Sequence, residues 1–384
     1  MTTTALRGAR VWDGLGTALV EATVVLDGPK VDAVGSDAGA DLTVDLSGLT
    51  LLPGLIEGHA HLCFNAGADW RSVYDHDSPE RMLLRMQANG LKMLESGITT
   101  VRDLGAPTGL SIELREALTD GLVTGPSLLV AGAPITTTGG HCHFMGGEAD
   151  GPLEVRKAVR EHVKAGVDWI KVMATGGNMT RGTNTYAAQY SVEELAACVE
   201  EAHRLRRRVA AHCHGTEGIR VAVAAGVDSI EHCTFSSPEG IDFDEGLMAE
   251  IAEKRIAVSP TVSIGYRLWP DDGLRQRRAA VLSAIAASGA PLIMSTDCGI
   301  PRVPHEALAG GMQVLAELAG LAPVDVLRLA TSEAAHNLGL RDRGTVAPGQ
   351  RADLIAVEGD PATDLRALER VRFVMAAGKV IRRP

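Results

Sequence analysis

The stretch Gly54–Leu62, GLIEGHAHL, decides how the rest of the chain is read. An apolar run that reads as a buried strand ends in two histidines one residue apart. Side chains alternate faces along a strand, so His59 and His61 point the same way. Two imidazoles aimed at one point are chance neighbours, a hydrogen-bonded pair, or half of a metal site. The pair alone does not choose among these; the sequence around it must.

With 384 residues the chain is long enough for one large domain or two medium ones. Aromatic residues make up only 3%, so the core must be built mainly from Ala, Val, Leu and Ile. The 43 glycines suit a fold with many tight connections. A net charge of −11 argues against a nucleic-acid footprint and against a basic membrane-surface helix. No apolar run approaches the roughly 20 residues of a membrane span, and the opening MTTTALRGARVWDG has no signal-peptide pattern. The six cysteines form neither a CxxC pair nor a small-domain framework, so a reducing cytoplasm is the expected compartment. Cys63, Cys142, Cys213, Cys233 and Cys298 read as small apolar fillers rather than ligands.

Residues 1–53 read as short strands joined by turns, and the far end, GTVAPGQRADLIAVEGDP and VRFVMAAGKVIR, has the same character. Two β-rich ends around a different middle predict that the termini, 1–53 and 346–384, meet in one small sheet domain. The middle, 54–345, alternates. Its strand candidates are TLLPGLIEGHAHL, ITTVRDLG, SLLVAGAP, VDWIKVMATGG, RVAAHCHG, VDSIEHCT, IAVSPTVSI and PLIMSTDCG. Between them lie amphipathic segments such as SPERMLLRMQANGLKMLESG, where Ser78 suits an N-cap and Pro79 the first helical position. Eight strands alternating with helices predict a parallel sheet, and eight close a TIM-like (β/α)8 barrel, whose active site lies at the C-terminal strand ends.

The chemically interesting residues fall at those ends. His59 and His61 end strand one; His141 and His143 follow strand three; His212 and His214 end strand five; His232 ends strand six; Asp297 ends strand eight. Lys171 sits inside the apolar fourth strand, where a bare ammonium is costly and its pKa falls. Either it pairs with a carboxylate, or its neutral amine adds carbon dioxide to form a carbamate able to bridge two metal ions. On the second reading His59, His61 and Asp297 hold one divalent ion and His212 and His232 a second, with carboxylated Lys171 and a hydroxide between them. Imidazoles with carboxylate-type oxygens suit Zn²⁺ best.

As a set, PGLIEGHAHL, GITTVRDLG, TGGHCHFMGGEADG, IKVMATGG, VAAHCHGTEGI, GVDSIEHCT, STDCG and GTVAPGQRADLIAV resemble the amidohydrolase superfamily, in the binuclear group related to imidazolonepropionase and amidohydrolase-type prolidases. The resemblance covers nearly the whole chain. It implies the same ligand set, with the twenty-residue separation favouring His212 over His214, and a β-sandwich made from both ends. It further implies an enzyme that cleaves amide (C–N) bonds of a small molecule or peptide by attack of the bridging hydroxide, with Asp297 carrying the proton to the leaving nitrogen. By the same resemblance His141 and His214, one of them protonated, hold a substrate carboxylate, or else bond to ligands from behind; His143 can exchange roles with His141. Tyr186, Gln189 and Tyr190 are weaker pocket-wall candidates, Arg302 and His305 lie near the mouth without an assigned role, and Asp103 holds an arginine, caps a helix or touches substrate. Barrels of this group often form homo-oligomers.

Three other readings compete. The same metal core opens lactones, phosphotriesters and cyclic imides or amides. The short connection GYRLWPDDGLRQRR would open the pocket to larger substrates, as in peptide-tailoring relatives of natural-product pathways that act on thiazoline-containing peptides of the bottromycin type. A mononuclear deaminase would not need Lys171, and a non-catalytic scaffold would show replaced ligands.

Overall fold

The computed structural model describes residues 3–35, 39–268 and 273–384; residues 269–272 of the connection GYRLWPDDGLRQRR lie outside them. Near the termini two sheets form. One has four strands, in the order Lys30–Val34, Val24–Asp27, Thr3–Arg7, Leu42–Asp45. The other has six and interleaves both ends of the chain: Lys379–Arg382, Val371–Ala376, Leu354–Glu358, Leu49–Pro53, Arg10–Val11, Val20–Glu21. Strand alternation gives the six-stranded sheet two apolar faces. Leu51, Leu354 and Phe373 pack with Leu6, Val24 and Leu26 of the other sheet. Leu52, Ile355 and Val374 join the large core of the alternating region instead.

Pro53 is followed, across Gly54, by the first strand of the alternating series, Leu55–Ala60. Parallel partners follow in sequence: Ile98–Asp103 beside it, then Ser127–Val130, and further on Trp169–Met173, Arg208–Gly215, Ser229–Ser237 and Ala257–Ser259. The third and fourth strands meet through Asp168 N–H to Val130 O (2.8 Å) and Ile135 N–H to Lys171 O (2.8 Å). Helices connect the strands. Pro79–Glu95 starts at Ser78, whose hydroxyl accepts the Arg81 N–H as the sequence predicts, and Val192–Arg204 opens with a capping box formed by Ser191 and Glu194.

The eighth segment, PLIMSTDCG, departs from expectation by forming no regular strand. It still bonds on both sides: Ile293 N–H to Val258 O (3.0 Å) on the seventh strand, and Gly58 N–H to Met294 O (3.0 Å) and His61 N–H to Cys298 O (2.8 Å) on the first. The ladder is interrupted where a side chain replaces the backbone: Glu57 takes both the N–H and the hydroxyl of Thr296, at 2.9 and 2.6 Å. Gly58 permits the close approach, since a Cβ there would lie 2.4 Å from the Ile293 side chain. Among the described residues no helix is long and apolar enough to cross a membrane.

Outside the sheet, the helices Gly151–Ala165 and Val192–Arg204 are joined by ion pairs at Glu201, which is only 2% exposed. It accepts from Arg160 at 2.7 Å and from Arg204, and these bonds pull its carboxyl down to about 2. A depressed carboxylate adds stability above its unfolded value of 4.5 and loses it as pH falls toward 2. Both arginines are more than half exposed, so solvent screens the gain. Glu201→Gln should cost about 1–2 kcal/mol at pH 7 in chemical denaturation, with the difference from the parent shrinking steadily below pH 4.5.

Candidate active site

The first strand sets Glu57, His59 and His61 on one face, and all three are buried. Each imidazole is held from behind through Nδ1. That of His59 lies 2.9 Å from Glu231 Oε2, and that of His61 lies 3.0 Å from Gly105 O. With Nδ1 the donor in each, both Nε2 atoms face inward, toward Asp297 Oδ1 at 3.5 and 3.1 Å. Oδ1 makes no hydrogen bond of acceptable geometry with either. Gly105 must be glycine, because a Cβ would stand 2.8 Å from the His61 ring.

On the opposite side His212 Nδ1 and His232 Nε2 approach to 2.8 Å. Their other nitrogens are engaged outward, by Gly176 O at 3.2 Å and Thr261 Oγ1 at 2.9 Å. The His214 ring stacks on His232 at 4.4 Å, with its Nδ1 on Thr234 Oγ1 at 3.0 Å. Strict alternation would send Glu231 and His232 to opposite faces. The left-handed backbone at His232 (φ +70°) and Cys233 (φ +48°) breaks it, so Glu231 meets His59 while His232 meets His212. Asp297 (φ +61°), Thr261 (φ +49°), Cys142 (φ +57°) and Arg302 (φ +68°) share this conformation. Such strain costs of order 1–3 kcal/mol per residue and gathers where geometry matters for function.

Lys171 lines the same cavity as the two groups of histidines, near enough for its charge to act on His59 and on His212, His214 and His232. It is 1% exposed, and its Nζ has no hydrogen-bond partner. Burial lowers its pKa to about 8, although Glu231 and Asp297 favour the charge. Burial also drives His212 and His232 well below the usual histidine range and His59 to about 4. For His61 burial works the same way but is outweighed by Asp297, which raises it. Neutral imidazoles with one nitrogen already held are the form in which histidine binds a metal. The ligand atoms of His59, His61 and Asp297 lie within 4.8 Å of one another, as do those of His212, His214 and His232, so each group can hold an ion. The donor chemistry and the orphaned amine beside the groups fit the expected pair of divalent ions. His214, which the twenty-residue separation leaves out of the second group, has its ring nitrogen within it.

These residues line a cavity of about 360 Å³, walled further out by Phe64, Met179, Tyr266, Leu268 and Ile300, with Arg302 at the mouth. His141 lines it too; its N–H donates to Gln189 Oε1 at 2.7 Å and its Nδ1 is buried without a partner. Burial lowers His141 to about 4 and His214 to about 3. Neither then carries, at neutral pH, the positive charge expected of a carboxylate partner. His143, in a short 3-10 turn, and Tyr186, 42% exposed, lie off the cavity. Tyr190 donates to Ala149 O away from it, and His305 is buried behind His61, 3.2 Å from its carbonyl. Asp103 neither caps a helix nor binds an arginine: it accepts the N–H groups of Leu62 and Gly105 at 3.1 Å each and so shapes the loop carrying His61. All six cysteines are buried and lie outside both groups.

Sequence reasoning missed Glu57, Arg102 and Glu231. The signal was the one that exposed Lys171, a charge inside an apolar strand, in LIEGHA, ITTVRD and SIEHC. Arg102, wholly buried, donates to Gly58 O (2.7 Å), Ser229 Oγ (3.1 Å) and Glu231 Oε1 (2.9 Å), and its guanidinium lies 4.6 Å from the Trp169 ring. Against the pull of burial, Arg102 and His59 hold the Glu231 carboxyl far below its usual range.

Parallel strands alternating with helices thus carry, at their C-terminal ends, two groups able to hold metal ions, the plan of a metal-dependent hydrolase. The sequence model of the amidohydrolase family matches residues 50–381, and the chain belongs to that family. Among its relatives is the ochratoxinase of Aspergillus niger, 31% identical over 378 residues that cover 87% of this chain and 76% of that protein. Imidazolonepropionase from Cereibacter sphaeroides is 30% identical over 181 residues, 46% of this chain and 42% of its own. In three dimensions a Xaa-Pro dipeptidase with methionine bound in its active site superposes with a TM-score of 0.88 at 28% identity, covering 99% of this chain and all of the other.

Removing Arg102 would leave Glu231 charged and buried without its partner. Arg102→Met should cost about 3–5 kcal/mol in denaturation, whereas Arg102→Met combined with Glu231→Met should recover a large part of that loss.

Proposed function

We propose that the eight parallel segments close into one (β/α)8 barrel over residues 54–345, capped by a small β-sandwich from residues 1–53 and 346–384. Its C-terminal mouth hydrolyses an amide bond in a dipeptide, N-acyl amino acid or peptide bearing a free carboxylate. Support for closure comes from the bonds that join the eighth segment to both the seventh and the first strand. Support for the substrate class comes from the likeness to a Xaa-Pro dipeptidase and to an ochratoxinase.

The observation that carries the reading is the Lys171 amine, buried without a partner beside the two groups of histidines. A pKa near 8 leaves part of it unprotonated at neutral pH. Such an amine adds carbon dioxide with loss of one proton and becomes a carbamate, which removes the cost of a buried cation and supplies two oxygen donors. In this assignment His59, His61, Asp297, His212, His232 and carboxylated Lys171 hold two divalent ions, zinc by donor type. Bound ions supply the activation of a water and the polarisation of the substrate carbonyl.

The protein's own groups do the rest. Glu231 and the Gly105 carbonyl fix the first histidine pair; Thr261 and the Gly176 carbonyl fix the second. Asp297 faces the cavity and takes the proton of the attacking water, then returns it to the leaving nitrogen. His141 and His214 bind the substrate through ring N–H groups, and the apolar outer wall packs on its hydrophobic part and keeps bulk water out.

Metal analysis of chelator-free protein should find about two ions per chain, and none would leave only a scaffold. A screen of N-acyl amino acids, Xaa-Pro dipeptides and longer peptides should find turnover in the first two classes. Asp297→Asn should keep fold and metal but lower kcat by about 10²–10⁴-fold; full activity would remove Asp297 from the proton path.

A further inference from the structure

Among the described residues three charged side chains line the cavity: Lys171, Asp297 and Arg302. The first two lie deep and belong to the groups described above. Arg302 is exposed at the outer wall, five residues beyond Asp297 in the same loop. Among the described residues no carboxylate pairs with its guanidinium, and no hydrogen bond occupies it. Apart from Asp297 on the floor, no acidic side chain among the described residues lines the cavity. In a chain of net charge −11, Arg302 is the one cation that the described residues present at this mouth.

Its backbone is fixed, not loose. Arg302 follows Pro301 and adopts φ +68°, a conformation that L residues rarely take. Its N–H donates to Ala66 O at 2.9 Å, and the Ala66 N–H donates to Gly299 O at 2.9 Å. The same turn is closed by Val303 N–H to Ile300 O (3.0 Å) and Gly299 N–H to Val303 O (2.9 Å). The loop after the eighth segment is thereby tied to the loop after the first, so the backbone that carries Arg302 is fixed at the rim while its guanidinium is left free to meet a ligand. Such an arrangement points to a ligand group and not to solvation alone.

We infer that Arg302 receives the substrate's carboxylate and makes the enzyme selective for amides that carry one. The inference rests on the amide-hydrolase reading of this site. A guanidinium fork matches a carboxylate with two parallel N–H bonds, a geometry that no single imidazole ring offers. A cation at the rim also draws anionic substrates toward an acidic protein. Beyond the carboxylate, Tyr266, Leu268 and Met179 line an apolar wall, which fits an N-acyl amino acid with a hydrophobic side chain.

The test uses zinc-loaded full-length protein with N-acetyl-L-phenylalanine and its C-terminal carboxamide, comparing the parent, Arg302→Gln and Arg302→Lys. Calorimetry measures binding and a separate assay measures turnover. The parent should bind the acid at least 10-fold more tightly than the carboxamide. Arg302→Gln should weaken the acid alone by about 10–100-fold, raising KM and leaving kcat nearly unchanged, and Arg302→Lys should restore part of the loss. Equal weakening of both ligands, no weakening of either, or no preference of the parent for the acid would each overturn the role. Arg302-dependent binding of the acid without turnover of any amide would keep this assignment and sink the proposed reaction instead.

Discussion

A primary amine with no hydrogen-bond partner, enclosed by histidines and wholly out of solvent, is the constraint on which this molecule turns. Burial of an unpaired charge is among the most expensive things a fold can contain. At Lys171 burial pulls the amine down to about 8, Glu231 and Asp297 lie near enough to favour the cation, and burial keeps the nearby imidazoles of His59, His212 and His232 on the neutral side.

Beneath it runs a second tier of buried charge. Arg102 grips the backbone of the first strand at Gly58 and the carboxylate of Glu231 on the sixth; Glu231 in turn orients His59. Glu57 joins the first strand to the eighth segment through Thr296, and burial lifts its carboxyl to about 7 although those bonds oppose the shift. An apolar interior of the same volume would be easier to make. What the polar tier adds is orientation: each ring has one nitrogen committed, so the other can point in only one direction.

Much of this was legible in the order of residues. Period-two and helical patterns gave the alternating middle and the β-rich ends, and the ends do pair strand for strand, Leu49–Pro53 against Leu354–Glu358. The histidine pairs at strand ends gave the gathering of His59, His61, His212 and His232. What escaped were features carried by backbone irregularity and by polar residues hidden in apolar runs. Left-handed residues at His232 and Asp297 defeat simple alternation, and no periodicity announces them. The eighth segment has the composition of a strand, yet Glu57 takes the hydrogen bonds that would have made it one. His143 and Tyr186 sit in loops whose course depends on tertiary contacts, so nearness in sequence to the histidine pairs said little about nearness to the cavity.

One connection has a developmental side. The strand Leu49–Pro53 runs through a single glycine into the strand that bears His59 and His61, and its long antiparallel neighbour comes from residues 354–358. Gly54 itself donates to the Asp353 carbonyl at 2.8 Å. The placement of the two histidines is therefore clamped by a stretch translated some three hundred residues later. A nascent chain still on the ribosome lacks that clamp until synthesis has passed residue 358.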